Sequence, residues 1–199
     1  MIIRRIIAAA LVAAAPPLAA SADSCPTQAD LETGIQLINA YGTHTLMRPL
    51  PGETPLTVVF TPHDTQYPPS TSVFQHALVP PAQPSDSGGL DFEFATSDAG
   101  INALDETGTW SSNVVALMDG DPIRTGTLTL TFLEHRAAQI GACAYDVWAV
   151  EQTLEYANGL QLRFELEYAP SLGIVVRNIA RNDAGQVVAD SGFTEITAD

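Results

Sequence analysis

A mainly β fold with one N-terminal helix is predicted: a single highly curved antiparallel sheet, or a partly closed barrel, with the helix packed on its concave side. Three observations predict it. Residues 160–168 alternate, with Leu160, Leu162, Phe164, Leu166 and Tyr168 set against Gln161, Arg163, Glu165 and Glu167. Successive side chains on a strand point to opposite faces, so this segment has one apolar and one polar face. Turn chemistry recurs between short apolar runs. Asn158-Gly159 tolerates positive φ at both positions, and Ala169-Pro170 ends a strand because proline has no N–H. Residues 27–41 instead show a helical period. Leu31, Ile35 and Ile38 fall at i, i+4 and i+7 with Leu37 beside them, Thr27 and Asp30 can satisfy free N–H groups at the start, and Gly42 is the stop.

The remaining strands follow in order. Residues 56–60 are a β-branched run between Pro51-Gly52 and Thr61-Pro62, and residues 72–79 and 90–95 flank residues 80–89. That intervening stretch, rich in Pro, Ser and Gly, is too poor in apolar groups to pack and is expected to be a flexible loop. Residues 114–118 precede the turn Asp119-Gly120-Asp121-Pro122, and residues 125–132 set Leu128, Leu130 and Phe132 against Thr127, Thr129 and Thr131. On residues 142–151, Cys143, Tyr145, Val147 and Ala149 share one face and Ala144, Asp146, Trp148 and Val150 the other. Both faces carry large apolar groups, so cover on both sides is expected. Residues 174–176 and 187–196 complete the set, and many short strands separated by turns imply antiparallel pairing.

Residues 1–22 read as a secretory signal peptide, with Arg4 and Arg5, a short apolar core broken by Pro16-Pro17, and the small-x-small site Ala20-Ser21-Ala22. Its removal leaves one domain, 23–199, with no later apolar segment long enough to cross a membrane. The formal charge of −15 becomes −17 when Arg4 and Arg5 leave, and the chain has no lysine. Such a surface repels nucleic acid and anionic headgroups. Cys25 and Cys143 are the only cysteines, and in an exported protein such a pair implies a disulfide.

Candidate chemistry is sparse. Asp86-Ser87-Gly88-Gly89 resembles the nucleophile segment of trypsin-like proteases over four residues only, and no segment supplies the base. His44, His63, His76 and His135 are scattered, without the close pairs that zinc takes. Asp119, Asp121, Asn182 and Asp183 offer calcium-type oxygens, but in turns that need those residues for the backbone. Glu134, Glu151, Glu155, Glu165 and Glu167 include no recognisable catalytic pair, and alternation puts Glu165 and Glu167 on a polar face with Arg163. No catalytic residue, metal or cofactor is assigned.

Residues 141–150 and 159–168, with the closing run Tyr168-Ala169-Pro170-Ser171-Leu172-Gly173-Ile174-Val175, resemble the end of exported bacterial β-sheet proteins of DUF3108 type. More distantly they are similar to the LolA-like periplasmic lipoprotein carriers. The resemblance covers the last third of the mature chain. It implies a highly curved antiparallel sheet with a helix against its concave side and an apolar groove, and it supplies no catalytic residues.

The expected function is therefore that of a non-enzymatic periplasmic or secreted protein, with a lipid or other apolar small molecule held in a groove of the sheet. Trp110, Trp148, Leu160, Leu162, Phe164, Leu166 and Tyr168 are the candidate lining. The alternative is an envelope interaction or scaffold domain with a solid core and a protein partner. A hydrolase using His63 or Glu151 ranks third.

Overall fold

The computed structural model describes residues 25–49, 56–61, 69–84, 89–182 and 184–199. The expected signal peptide, 1–22, lies outside the described residues, as do His63, Asp183 and residues 85–88 of the expected flexible loop. Among the described residues eleven strands form one antiparallel sheet: β1 (Ile35–Asn39), β2 (His44–Pro49), β3 (Leu56–Thr61), β4 (Ser70–Phe74), β5 (Leu90–Phe94), β6 (Thr109–Met118), β7 (Asp121–Ile140), β8 (Cys143–Tyr156), β9 (Gln161–Ala169), β10 (Ile174–Arg181) and β11 (Val187–Ala198). The mainly β antiparallel class read from the sequence is what the chain adopts. Strands adjacent in sequence are adjacent in the sheet, with one exception on each count. β1 pairs with β11, from Ile35 opposite Ala198 to Asn39 opposite Phe193, while β4 and β5 are the two free edges.

The sheet does not close into a barrel. Between its edges lies a short stretch of the expected loop: Val73 and Ala82 exchange two backbone bonds of 2.8 Å, and the Gln83 N–H donates to the Leu90 carbonyl at 2.7 Å. One residue thus bridges to each edge.

Residues 27–41 are not a helix. A 3-10 turn, Gln28–Glu32, opens the segment, with the Thr27 N–H donating to Asp30 Oδ2 at 2.7 Å, and β1 follows. Gly34 is the reason. It sits at φ +130°, and a Cβ there would stand 2.9 Å from Leu46 Cδ1, so the chain breaks helical geometry where β2 approaches. Ile35 and Leu37, two residues apart, are then the fully buried pair, the period of a strand. Helical backbone of comparable length lies elsewhere: a 3-10 turn, Asp98–Ala103, runs into a one-turn helix α1 (Leu104–Thr107) and buries Ile101 and Leu104.

Among the described residues the interior has two apolar clusters, and β8 serves both. Cys143, Tyr145 and Val147 pack with Leu31, Ile35, Leu37, Ile140, Leu172 and Ile174. Trp148, Val150, Leu154 and Tyr156, on the opposite face, pack with Leu78, Ile101, Leu104, Leu128 and Leu130. Val147, Trp148, Ala149 and Val150 are all buried where the two regions overlap. A bulge on β7 between Phe132 and Glu134 makes the same change. The extra residue switches parity, so Leu128 and Leu130 face one cluster and Ile140 the other.

Cys25 and Cys143 form the expected disulfide, with Cα atoms 5.5 Å apart. Around it the Tyr145 hydroxyl donates to the Pro26 carbonyl at 3.1 Å and the Gln28 N–H to the Ser171 carbonyl at 2.9 Å. The N-terminal turn is therefore anchored on β8 and on the β9–β10 connection. The bridge joins residues 118 apart in sequence, for which chain-entropy reasoning gives a stabilisation of about 5 kcal/mol at most. Replacing both cysteines by serine is expected to lower the unfolding free energy in urea by about 2–5 kcal/mol. An unchanged midpoint and slope would show that the N-terminal turn is held without it.

Candidate binding site

A cavity of about 310 Å³ opens between the two halves of the sheet. From one side β2, β3 and β4 bring Met47, Val58, Phe60 and Phe74; from the other β9, β10 and β11 bring Leu166, Val175, Val176 and Phe193. Residues 75–81, between β4 and the edge bridges, add Ala77, Val79, Pro80 and Pro81 as a third wall. The polar groups on the wall are mostly uncharged: Asn39, Thr45, Gln152, Asn178 and Ser191. A mainly apolar concavity of this size with a few amide and hydroxyl groups is the usual form of a small-molecule site.

Gln152 fixes one wall. It is buried on β8, and its Nε2 donates to the Leu78 carbonyl at 2.8 Å. Leu78 itself is fully buried in the first cluster. Without this bond a buried carbonyl would lose its partner.

Among the described residues Arg177 is the one charged residue on the cavity wall, and its guanidinium is committed elsewhere. Nε and Nη2 donate to the two oxygens of Asp190 at 2.9 and 2.7 Å, and Glu167 lies 3.6 Å away. The Asp190 carboxylate holds the Arg177 pKa above its ordinary value. Next to it, Glu165 accepts from Arg181 Nη2 at 2.6 Å and Arg136 Nη1 at 2.7 Å, and Arg136 Nε donates to Glu134 at 2.7 Å. Arg181 first, then Arg136, hold the Glu165 carboxyl below its usual range. Held ionised by these two guanidinium groups, Glu165 has no proton to give at neutral pH. Glu151 stands opposite Glu165 in the β8–β9 register.

The candidate lining read from the sequence is distributed over three environments. Leu166 lines the cavity. Trp110, Trp148 and Tyr168 are buried in the first cluster; Trp110 Nε1 donates to the Ser97 carbonyl at 3.1 Å, and the Trp148 and Tyr168 rings meet edge-on at 5.5 Å. Phe164 packs half-buried against the same cluster, whereas Leu160 and Leu162 are 41% and 37% exposed. The alternation assigned the face of β9 correctly, but cover fades towards its hairpin. Met47, Val58, Phe60 and Phe74 went unmarked because their strands meet β9 and β10 only through the β1–β11 pairing, and Val176 and Phe193 line the cavity from β10 and β11. Asp119 and Asp121 sit in the β6–β7 hairpin, with Asp119 at φ 60°. Among the described residues no three His, Cys, Asp or Glu side chains gather in a metal-binding group.

No family model matches this sequence. The expected DUF3108-type likeness is thus not shown, and no curated protein matches the chain either. Among solved structures, the hypothetical lipoprotein YmcC from Escherichia coli (K12) is similar, with a TM-score of 0.47, 11% identity, and coverage of 87% of this chain and 90% of that one. MucB gives a TM-score of 0.31 at 11% identity, over 86% of this chain and 55% of MucB. MucB in complex with MucA(peri) gives 0.28 at 11% identity, over 86% and 52%. No residue role or ligand is carried over from these likenesses.

Replacing Gln152 by leucine keeps the volume and removes the donor. The expected result is a loss of roughly 1–3 kcal/mol in chemical denaturation, from the unpaired Leu78 carbonyl. No change would mean that water or a rearranged wall takes over the bond.

Proposed function

We propose that this is an exported, non-enzymatic protein that holds one apolar small molecule, a lipid or acyl chain, in the cavity between β2–β4 and β9–β11. The observation that supports the reading is the cavity itself: about 310 Å³, walled mainly by Met47, Val58, Phe60, Phe74, Val176 and Phe193. Each 100 Å² or so of apolar ligand surface taken from water would contribute about 2.5 kcal/mol. The neutral polar groups Asn39, Asn178 and Ser191 can hydrogen-bond a head group. Export is supported by the Cys25–Cys143 disulfide, a bond that persists in oxidising compartments.

Binding of a dansyl-labelled fatty acid tests this. Saturable uptake with a blue-shifted emission is expected. Ser191→Trp, at an exposed position on the cavity wall, is expected to weaken uptake at least tenfold, while Leu162→Ala leaves it unchanged. No saturable uptake, together with no lipid in solvent extracts of the purified protein, would overturn the proposal in favour of an envelope interaction domain. Loss of uptake in Leu162→Ala with none in Ser191→Trp would move the site to the hairpin end of β9.

A further inference from the structure

Residues 75–81 divide two spaces. Ala77, Val79, Pro80 and Pro81 wall the large cavity, while Gln75 and Val79 also wall a second space of about 150 Å³, with Phe94, Ser97, Asp98 and Trp110 on its far side. Val79 belongs to both, so the stretch is a partition one side chain thick. The hydrogen bonds at its centre involve few residues. The Leu78 carbonyl accepts from Gln152, the Leu78 N–H donates to His76 Nδ1 at 3.1 Å, and the Val79 N–H donates to the His76 carbonyl at 3.0 Å.

We infer that residues 75–81 form a latch on the large cavity and that protonation of His76 releases it. The inference rests on the reading of that cavity as a binding site. The bond to Leu78 fixes the tautomer, because Nδ1 accepts and so carries no proton. An imidazolium can only donate at both nitrogens, so it cannot keep this bond. Protonation therefore sets the Leu78 N–H against another donor at the centre of the partition.

The groups facing His76 come from two other elements. Tyr168 of β9 presents its ring with centroids 5.5 Å apart, and burial pushes its hydroxyl pKa up, so it stays neutral. From the turn at Asp98–Ala103, the Asn102 side chain and the Asp98 carboxylate both favour its protonation. Residues 75–81 contribute no other charge. Burial outweighs Asn102 and Asp98 and holds the His76 pKa below its ordinary value. A His76 freed into water titrates near 6.5. Above that pH both forms are neutral and the closed form keeps its full advantage. As pH falls below it, the open form takes up the proton first, and the closed-to-open ratio drops about tenfold per pH unit until the closed form also protonates.

Amide hydrogen exchange on the ligand-free protein at pH 7.5 and 5.5, corrected for intrinsic rates, tests the latch without the ligand. The expected result is a loss of protection of up to about tenfold at Leu78 and Val79 between the two values, with β8 unchanged. In His76→Gln, which keeps an acceptor that does not titrate, protection is expected to be the same at both pH values. An NMR titration of the wild-type imidazole serves if that variant does not fold, with a midpoint below 6.5 expected. Equal protection at both pH values in the wild type, equal loss in wild type and His76→Gln, or a midpoint at or above 6.5 would each overturn the latch. Dansyl fatty acid release then separates the two proposals. Faster release at pH 5.5 in the wild type alone is expected. Uptake that is insensitive to pH overturns the latch and leaves the site standing, and absence of uptake at both values removes the site.

Discussion

The architecture depends on the backbone ladder between β1 and β11. Every other neighbour in the sheet is also a neighbour in sequence, so hairpin formation supplies those contacts locally. β1 and β11 instead bring together residues such as Ile35 and Ala198 from opposite ends of the described chain. This ladder makes β1–β4 and β5–β11 one sheet, and the large cavity lies across the joint. Closing so long a loop costs entropy that local hairpins do not face. The disulfide reduces that cost by holding the turn that precedes β1 against β8. The Asp199 N–H donating to the Gly34 carbonyl at 2.9 Å extends the pair at that same end.

Where sequence reasoning worked, the signal was local. Asn158-Gly159 lies in the β8–β9 hairpin as expected, but only Gly159 takes positive φ, 83°. The Gly159 N–H donates to the Tyr156 carbonyl at 2.9 Å and Asn158 Oδ1 accepts from the Leu160 N–H at 3.1 Å, so the loop is longer than a two-residue turn. Strict alternation gave the face of β9, and apolar groups on both faces of β8 gave its double cover. Residues 27–41 were misread because a helical stripe and a short strand share several positions. Gly34 inside the stripe was the contrary sign. The cavity was not legible, since no local pattern says that Val58 will face Val176. That meeting is set by a pairing whose partners are some 160 residues apart.

Charge is distributed with similar economy. Four arginines, Arg136, Arg163, Arg177 and Arg181, stand on β7, β9 and β10 with Glu165 and Glu167 between three of them. In a chain with so large an acidic excess this ties the scarce cations to one polar face of the sheet. Partly exposed pairs of this kind are screened by solvent and contribute modestly each. Their geometric effect is clearer. They hold Arg177 flat against Gly192, whose absent Cβ would stand 3.3 Å from the Arg177 Cγ.

The two free edges of the sheet bear on how copies of this chain behave in one another's company. An unpaired edge invites another molecule to add a strand, the first step towards ordered aggregates. Here Ala82 and Gln83 occupy one position on each edge, and Pro80, Pro81 and Pro84 flank them. Proline offers no N–H, so Pro80 and Pro84 remove the donors on either side of Ala82, and Pro81 removes the one before Gln83. The same few residues therefore blunt both templates while withholding the continuous hydrogen bonding that would make a sealed cylinder, leaving a seam that discourages self-association yet stays weakly fastened.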